Sequence, residues 1–293
     1  MNNLLVVTGG AGFVGSNLIS FLLKKTKNFK IISIDNYSSG SKKNHIHNKR
    51  VKYIRGSTLK IEKTLNKYKN KIHTLFHFGE FARIYQSFEN LDECLETNSI
   101  SSNAVFKFCL KNKIKLIYSA TSSTLGNKGY DKNLSPYAFS KSKNLELLNN
   151  LKIWFNFKFE VIYFYNVYGP GQISKGKMAT VIGIFESHFK KKKPLPVVKP
   201  GTQSRRFTHI KDSVETVYYA WKKNKCKHYA ITHKKSWTVL EVAKMFGGKI
   251  KFLPSRKGER YASALTRINL SNKVVKRYGN ESLRDYIKKI VKK

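Results

Sequence analysis

The sequence predicts an α/β protein with a parallel, doubly wound sheet, and three observations lead to this fold class. Short apolar runs typical of strands alternate with segments of helical periodicity, which is the pattern of strand–helix–strand units. The strand-like runs are apolar on both faces, as expected when helices cover both sides of a parallel sheet. A glycine-rich turn lies directly between the first run, LLVVT, and the first helical segment.

The predicted elements follow in order along the chain. Strands are predicted at residues 4–8, 30–35, 51–54, 73–78, 115–120 and 159–165. Helices are predicted at residues 17–25, 61–67, 94–111, 138–154, 179–190, 212–222, 239–246 and 283–291. The aromatic residues Trp154, Phe155, Phe157 and Phe159 stand where a helix gives way to a strand, and we expect them in the core.

The composition is that of a folded protein with a sizeable core, because 41% of its 293 residues are hydrophobic and 13% are aromatic. No apolar run reaches the roughly 20 residues that cross a bilayer, and the N-terminus lacks the basic start of a signal peptide. The cysteines have no CxxC spacing, which favours a reducing, cytoplasmic location over a disulfide framework or a zinc site. No His, Asp or Glu cluster has metal-ligand spacing, so no metal is expected.

The net charge is +40, from 57 Lys and Arg against 17 Asp and Glu. A field of this size attracts nucleic acid, anionic membranes and acidic substrates. The lysines are scattered along the chain, which favours a solvated surface over a dedicated polyanion site. We therefore expect no membrane partner and no specific nucleic-acid partner. A basic polyanion-binding protein is the alternative from another class.

The turn after the first strand has the features of a phosphate-binding loop. Gly9, Gly12 and Gly15 allow a tight turn, close approach of backbone N–H groups to a pyrophosphate, and close helix–strand packing. Asp35 ends the second strand 20 residues after Gly15, where a carboxylate accepts hydrogen bonds from ribose hydroxyls. No arginine immediately follows to bind a 2′-phosphate, so the sequence favours NAD over NADP.

A second motif, Y-x-x-x-K, is formed by Tyr137 and Lys141 within SPYAFSKSK. On a helix the two side chains lie on one face, and an ammonium group beside the phenol lowers its pKa toward the range that a general base needs. The preceding strand ends in a hydroxyl-rich turn that contains Thr121. A hydroxyl there would hydrogen-bond the substrate oxygen that the tyrosine deprotonates.

Together these motifs resemble the extended short-chain dehydrogenase/reductases, and within them the nucleotide-sugar epimerases similar to UDP-glucose 4-epimerase. The resemblance covers nearly the whole chain. Its motifs are TGGAGFVGS, IDNYSSG, FHFGE, ETN, YSATSSTLG, SPYAFSK, YFYNVYGP, RRFTHIKD and RKGE. It implies an NAD-binding Rossmann-type domain, formed by residues 1–168 plus about 207–233. A smaller α/β domain, formed by residues 169–206 plus 234–293, would bind a nucleotide sugar.

The resemblance also implies roles for individual residues. Tyr137 would be the base, Lys141 would also hold the nicotinamide ribose, and Thr121 falls at the position of the catalytic Ser/Thr. The implied cofactor-binding residues are Gly9, Gly12, Phe13, Val14, Gly15, Asp35, Asn36, Phe78, Gly79, Glu80, Asn98, Tyr137, Lys141 and Tyr165. The implied substrate-binding residues are Thr121, Ser122, Ser123, Asn166, Arg205 and Arg256. The two arginines suit a UDP diphosphate, which guanidinium groups bind with paired hydrogen bonds.

The activity implied by the resemblance is epimerisation at C4 of a UDP-hexose through transient oxidation, rotation of the 4-keto sugar and return of hydride. Ser122 and Ser123 stand where the 4,6-dehydratases have an Asp-Glu pair, which disfavours elimination of water. The alternative within the family is another nucleotide-sugar reductase, decarboxylase or epimerase. The stretch from Gly126 to Tyr137 is shorter than in most relatives, which predicts a more open wall of the sugar pocket. A homodimer through helices 94–111 and 138–154 is also implied.

Overall fold

The structure is a computed structural model that describes residues 3–125, 131–258 and 274–292. The described strands, in chain order, are β1 (Leu4–Thr8), β2 (Lys30–Asp35), β3 (Val51–Arg55), β4 (Ile72–His77), β5 (Lys115–Thr121), β6 (Phe159–Phe164), β7 (Val167–Tyr168), β8 (Leu195–Val198), β9 (Ser204–Arg206), β10 (Thr208–His209), β11 (His228–Thr232), β12 (Ser236–Thr238), β13 (Ile250–Leu253) and β14 (Val274–Tyr278). The described α-helices are α1 (Phe13–Lys25), α2 (Ile61–Leu65), α3 (Gln86–Glu89), α4 (Leu91–Leu95), α5 (Ser102–Lys111), α6 (Pro136–Phe155), α7 (Val181–Lys190), α8 (Ile210–Lys223), α9 (Val239–Phe246) and α10 (Leu283–Val291).

Eight strands form one sheet in the order β14-β11-β6-β5-β4-β1-β2-β3, and every neighbouring pair is parallel. Two apolar clusters cover its two faces, one including α5 and α6 and the other including α1 and α8. This arrangement confirms the predicted doubly wound α/β fold. Parallel strands bring all their carboxyl ends to one edge, and that edge is where ligands bind in such sheets.

The predicted strand boundaries agree with the structure to within one residue, whereas one predicted helix is divided. In the range 94–111, α4 ends at Leu95, a π-helical turn covers Glu96–Ser101, and α5 begins at Ser102. The expectation that the aromatic residues between positions 154 and 159 lie in the core is wrong for Trp154 and Phe155, which are 61% and 60% exposed. These two residues end the helix before the chain enters the sheet, whereas Phe157 and Phe159 are buried in it.

A separate apolar cluster lies in the part of the chain after β6. It is built around Phe185 of α7, Val197 of β8, Phe246 of α9 and Ile287 of α10, all fully buried. This is the region that the sequence assigns to a smaller domain. β14 differs from that assignment, because it pairs with β11 at the edge of the large sheet.

Among the described residues, no helix combines the length and the apolar character needed to span a membrane.

Candidate active site

A cavity of about 690 Å³ lies at the carboxyl edge of the large sheet. Its walls come from the β1–α1 turn, the ends of β2, β4 and β5, the start of α6, and the segments around β7 and α7. The predicted site residues that line it are Gly9, Gly12, Phe13, Val14, Gly15, Asp35, Asn36, Phe78, Gly79, Glu80, Thr121, Ser122, Ser123, Tyr137, Lys141, Asn166 and Arg205. The fold therefore brings together side chains that are far apart in sequence.

The glycine turn after β1 fits a dinucleotide pyrophosphate. Gly9 has φ +67°, and a Cβ there would lie 2.8 Å from the backbone nitrogen of Gly79. A Cβ on Gly15 would lie 2.2 Å from the carbonyl oxygen of Gly9, so the helix could not pack so closely on the turn. No described side chain caps the N-terminus of α1, and its first turn carries no acidic residue. The N–H groups of this helix end can therefore receive an anionic group.

The carboxylate of Asp35 is held by the backbone around it. Its two oxygens accept hydrogen bonds from the N–H groups of Ala11 (2.9 Å) and Tyr37 (2.8 Å). A carboxylate oxygen accepts more than one hydrogen bond, so both oxygens keep capacity for ribose hydroxyls. The contact with Ala11 also ties the end of β2 to the glycine turn.

Tyr137 and Lys141 lie in the first two turns of α6 and are 9% and 3% exposed. The helix begins at Ser135, whose side chain accepts a hydrogen bond from the N–H group of Ala138 at 3.1 Å, and Pro136 follows at the first helical position. The ammonium group of Lys141 donates to the carbonyl oxygen of Ser119 at 2.6 Å and forms an ion pair with Glu80. The helix start thus fixes where the predicted base lies in the cavity.

Glu80 is the centre of a buried hydrogen-bond network. Besides Lys141, its carboxylate accepts hydrogen bonds from Ser102 Oγ (3.0 Å), Tyr118 OH (3.1 Å) and Ser119 Oγ (2.9 Å). Burial acts to raise its pKa, but the charge of Lys141 and the hydrogen bonds from Lys141 and Ser119 outweigh burial and lower the pKa below its usual value. The sequence indicated Glu80 as a cofactor-lining residue but gave no sign of its ion pair with Lys141.

His77 has the structural role that its place at an apolar strand end suggests. Its ring nitrogens contact Thr8 Oγ1 at 2.8 Å and Ser102 Oγ at 3.0 Å, and the residue is fully buried. Burial lowers its pKa to about 4, so the ring is neutral at neutral pH. Thr8 Oγ1 also accepts from the N–H groups of Phe78 and Gly79, which links β1 to the loop after β4.

The hydroxyl-rich turn after β5 lies beside the predicted base in the cavity lining. Thr121 Oγ1 accepts from the N–H group of Ser123 and donates to Ser123 Oγ, both at 3.2 Å. Asn166, also in the cavity lining, has φ +34° and donates from its side chain to the carbonyl oxygen of Arg206 at 2.9 Å. The cavity therefore offers hydroxyl groups near Tyr137 and an amide and a guanidinium group on the wall that carries Arg205.

Three predicted site residues lie outside the described cavity lining. Asn98 is fully buried, and its side chain forms hydrogen bonds with the backbone N–H (2.7 Å) and the carbonyl oxygen (3.1 Å) of Phe81. It therefore holds the loop after β4 in place without lining the cavity. Tyr165 packs into the core, because successive residues point to opposite sides and its neighbours Phe164 and Asn166 face the cavity. The guanidinium carbon of Arg256 lies 5.2 Å from the ring centroid of Tyr85, and Arg205 alone of the predicted pair lines the cavity.

Arg83 is a cavity residue that the sequence did not single out. Its guanidinium group donates to the carbonyl oxygens of Met178 and Ala82, at 3.1 Å from Nε and 2.8 Å from Nη1 respectively, and it interacts electrostatically with Tyr137. Burial lowers its pKa, while Tyr137 acts in the opposite direction. An arginine in an irregular loop outside any recognised motif carries no sequence signal of such a position.

Two parts of the predicted site lie outside the described residues. They are the stretch from Gly126 to Tyr130, which belongs to the shortened loop, and Glu259 of the RKGE motif.

Comparison with known proteins identifies one matching family. Residues 5–232 match the model of the NAD dependent epimerase/dehydratase family. The ADP-L-glycero-D-manno-heptose-6-epimerase of Brachyspira hyodysenteriae is 28% identical over 227 residues, which is 72% of this chain and 70% of that protein. A putative UDP-glucose 4-epimerase of Methanocaldococcus jannaschii is 27% identical over 221 residues, 71% of this chain and 70% of the relative.

A solved structure shows the same fold over almost the whole chain. The UDP-glucose 4-epimerase of Thermotoga maritima, solved with UDP-glucose, has a TM-score of 0.86 at 22% identity and covers 99% of this chain and 97% of its own. The family match spans well over half of the sequence, so the chain belongs to the NAD-dependent epimerase/dehydratase family. It is an NAD-dependent enzyme of that family, and the predicted cofactor is confirmed at this level.

Proposed function

We propose that the protein interconverts UDP-hexoses by epimerisation at C4, using a resident NAD. The observation that carries this proposal is the single cavity in which the glycine turn, Thr121, Tyr137, Lys141 and Arg205 meet. A binding protein that had merely reused the fold would have no need of a buried lysine one helical turn from a tyrosine. The putative UDP-glucose 4-epimerase and the Thermotoga maritima UDP-glucose 4-epimerase described above support epimerisation at C4.

Three residues of the cavity would have separate roles in the oxidation at C4. NAD, when bound, supplies the acceptor and later the donor of hydride. Tyr137 removes the proton of the C4 hydroxyl, and Thr121 donates or accepts a hydrogen bond at the same oxygen. Lys141 stabilises the phenolate of Tyr137 by its positive charge. Together they make the C4 oxygen a better electron donor while hydride leaves the carbon.

Inversion at C4 requires the 4-keto sugar to turn while its nucleotide stays bound. Asn166 and Arg205 also line the cavity and would hold the diphosphate, with Arg205 providing charge-assisted hydrogen bonds. The cavity of about 690 Å³ would have to hold both the cofactor and the nucleotide sugar. Rotation also requires that the hexose be held less tightly than the diphosphate.

Dehydration is disfavoured by the turn after β5. Elimination of water needs an acid and a base near C5 and C6 of the sugar, and this turn presents the hydroxyl groups of Ser122 and Ser123 in their place. Both serines are buried and belong to the short 3-10 turn that follows Thr121. This turn would therefore support oxidation and reduction at C4 but supplies no carboxyl group for elimination.

The test is to incubate the purified protein with UDP-glucose or UDP-galactose, without added cofactor, and to analyse the sugars. Interconversion that is lost in Tyr137→Phe is the expected result. A matched control is Tyr278→Phe, which changes an exposed tyrosine at the sheet edge. Failure of both UDP-hexoses, even after NAD is added, would overturn the proposal. ADP-L-glycero-D-manno-heptose would then be assayed, since a relative carries that activity in its name.

The proposal includes a homodimer formed through the π-helical turn with α5 and through α6. Ile100 and Phe139 on these elements are large apolar residues that are 58% and 43% exposed. A second copy would bury them. Sedimentation of Ile100→Glu should show a shift from dimer to monomer, whereas Tyr278→Glu should not. A wild-type protein that sediments as a monomer would contradict the dimer.

A further inference from the structure

The ion pair between Glu80 and Lys141 lies in a nearly dry environment. The side chain of Lys141 is 4% exposed and that of Glu80 is 2% exposed. Glu80 comes from the loop after β4, 61 residues before Lys141 in the sequence, so only the fold brings the two together. A buried ammonium group is strongly destabilised unless an anion compensates it.

Three titratable groups around Lys141 are neutral near pH 7. Burial lowers the pKa of His77 on β4 to about 4 and raises that of Cys94 on α4 to about 11. Burial also raises the pKa of Tyr118 on β5 well above its usual value. Glu80 is therefore the carboxylate that balances the lysine among the described neighbours. Arg83, which acts on Tyr137, stays protonated because a guanidinium group does not lose its proton in this range.

Two opposing effects act on Lys141 itself. Burial lowers its pKa, and the charge and hydrogen bond of Glu80 raise it. If Glu80 lost its charge, the main interaction that raises the pKa of Lys141 would be gone, and burial would lower that pKa further. The lysine would then lose its proton closer to neutral pH, and a neutral amine cannot stabilise the phenolate of Tyr137.

We propose that Glu80 is a positioning residue that keeps Lys141 charged and fixes its ammonium group at the cavity wall. This inference rests on the proposed function in one respect, namely that Lys141 assists Tyr137. The two shortest hydrogen bonds of the ammonium group go to the carboxylate of Glu80 and to the carbonyl oxygen of Ser119. The third contact, to Ser119 Oγ, is 3.4 Å long, and a ribose hydroxyl in the cavity would replace it.

The matched control is a second buried ion pair far from the cavity. Lys115 and Glu160 are 3.2 Å apart with side chains 10% and 0% exposed, and neither residue lines the cavity. Glu160 also accepts hydrogen bonds from the N–H groups of Cys226 (3.0 Å) and Lys227 (2.7 Å). Glu160→Gln therefore reproduces the loss of a buried carboxylate without touching Lys141.

The experiment measures kcat for epimerisation from pH 6 to pH 10 in the wild type, Glu80→Gln, Glu80→Asp and Glu160→Gln. Glu80→Gln should lose activity at a lower pH than the wild type, by about tenfold per pH unit above the new pKa of Lys141. Glu80→Asp, which keeps the charge, should move the profile back toward the wild type. Glu160→Gln should leave the shape of the profile unchanged. A Glu80→Gln profile that is lowered equally at every pH would overturn the proposal.

A second measurement works without turnover. Competitive acetylation of the protein at a series of pH values, read by mass spectrometry of the peptide that contains Lys141, gives the pH at which this amine becomes reactive. That pH should fall in Glu80→Gln and stay unchanged in Glu160→Gln. An unchanged midpoint in Glu80→Gln would count against the inference. If no nucleotide sugar is converted by the wild type while the midpoint still falls, the proposed function fails and the coupling of Glu80 to Lys141 stands.

Discussion

Thr8 ends β1, and its buried hydroxyl oxygen joins this strand to the end of β4 and the loop that follows it. It accepts hydrogen bonds from the N–H groups of Phe78 (3.1 Å) and Gly79 (3.0 Å) and contacts His77 Nδ1 at 2.8 Å. Gly79 in turn lies against the glycine turn, since a Cβ on Gly79 would be 2.9 Å from the nitrogen of Gly9. One threonine thus sets the spacing between the two loops that would face the cofactor.

Replacement of Thr8 by valine tests this role. Thr8→Val keeps the shape but removes the hydroxyl acceptor of the Gly79 N–H group and one of the two acceptors of the Phe78 N–H group, which should lower the free energy of unfolding by about 1 kcal/mol. NAD affinity should fall as well. Thr8→Ser, which keeps the hydroxyl group, is the control and should stay close to the wild type in denaturant unfolding. Equal stability of the valine variant and the wild type would contradict the role of this hydroxyl.

The buried His77 predicts how stability depends on pH. Its pKa is about 4 in the folded protein against 6.5 when exposed, so the unfolded chain binds the proton more tightly. Its contribution is therefore fully present above about pH 6.5 and is lost as the pH falls toward 4, up to about 3 kcal/mol. Denaturant unfolding between pH 7 and pH 4 should show a shallower fall in His77→Gln. The exposed His47→Gln is the control and should follow the wild type.

At the scale of elements, the start of α6 decides where Tyr137 and Lys141 lie. Ser135 caps this helix, is 4% exposed, and precedes the tyrosine by two residues. The periodicity of the sequence predicts this helix from residue 138, whereas the structure begins it at Pro136, directly after the Ser135 cap. The position of the helix start against the cavity is not readable, because it depends on the packing of α6 against β5 and the neighbouring helices.

Ser135→Ala should lower the free energy of unfolding by about 1 kcal/mol through loss of the cap. It should also reduce kcat, since the first turn of α6 would fray beside the predicted base. Ser282 caps α10 in the same way, accepting from the N–H group of Asp285, but lies away from the cavity. Ser282→Ala should therefore cost similar stability and leave kcat unchanged. Similar kcat values for the two variants would contradict the expected effect of the α6 cap.

The segment before α7 is tied to the loop after β4 by Arg83. The guanidinium group bonds the carbonyl oxygen of Met178, 95 residues along the chain. Met178, Ala179 and Thr180 form part of the cavity wall. Arg83→Met should loosen this wall and raise the Kd of UDP-glucose severalfold, measured by calorimetry. The conservative Arg83→Lys should restore part of the affinity. An unchanged Kd in Arg83→Met would show that the hydrogen bond from Arg83 to Met178 does not contribute to binding.

At the scale of the whole molecule, the charge of +40 should act on the rate at which an anionic substrate arrives. Raising the salt concentration from about 50 mM to 500 mM shortens the Debye length and screens the surface lysines. We expect kcat/KM for a UDP-hexose to fall severalfold while kcat changes little. A kcat/KM that does not depend on salt would show that the charge plays no part in substrate capture.

The alternation of strands and helices, the glycine turn and the Y-x-x-x-K motif were determined by the sequence itself, because each depends on residues close together in the chain. Periodicity and local steric constraints act over a few residues, and the six predicted strands confirm how much they specify. The ion pair of Glu80 with Lys141, the tie from Arg83 to Met178, and the turn of Tyr165 away from the cavity were decided by the tertiary structure. These contacts join residues many positions apart, and which groups share a dry environment is set by how sheet and helices pack.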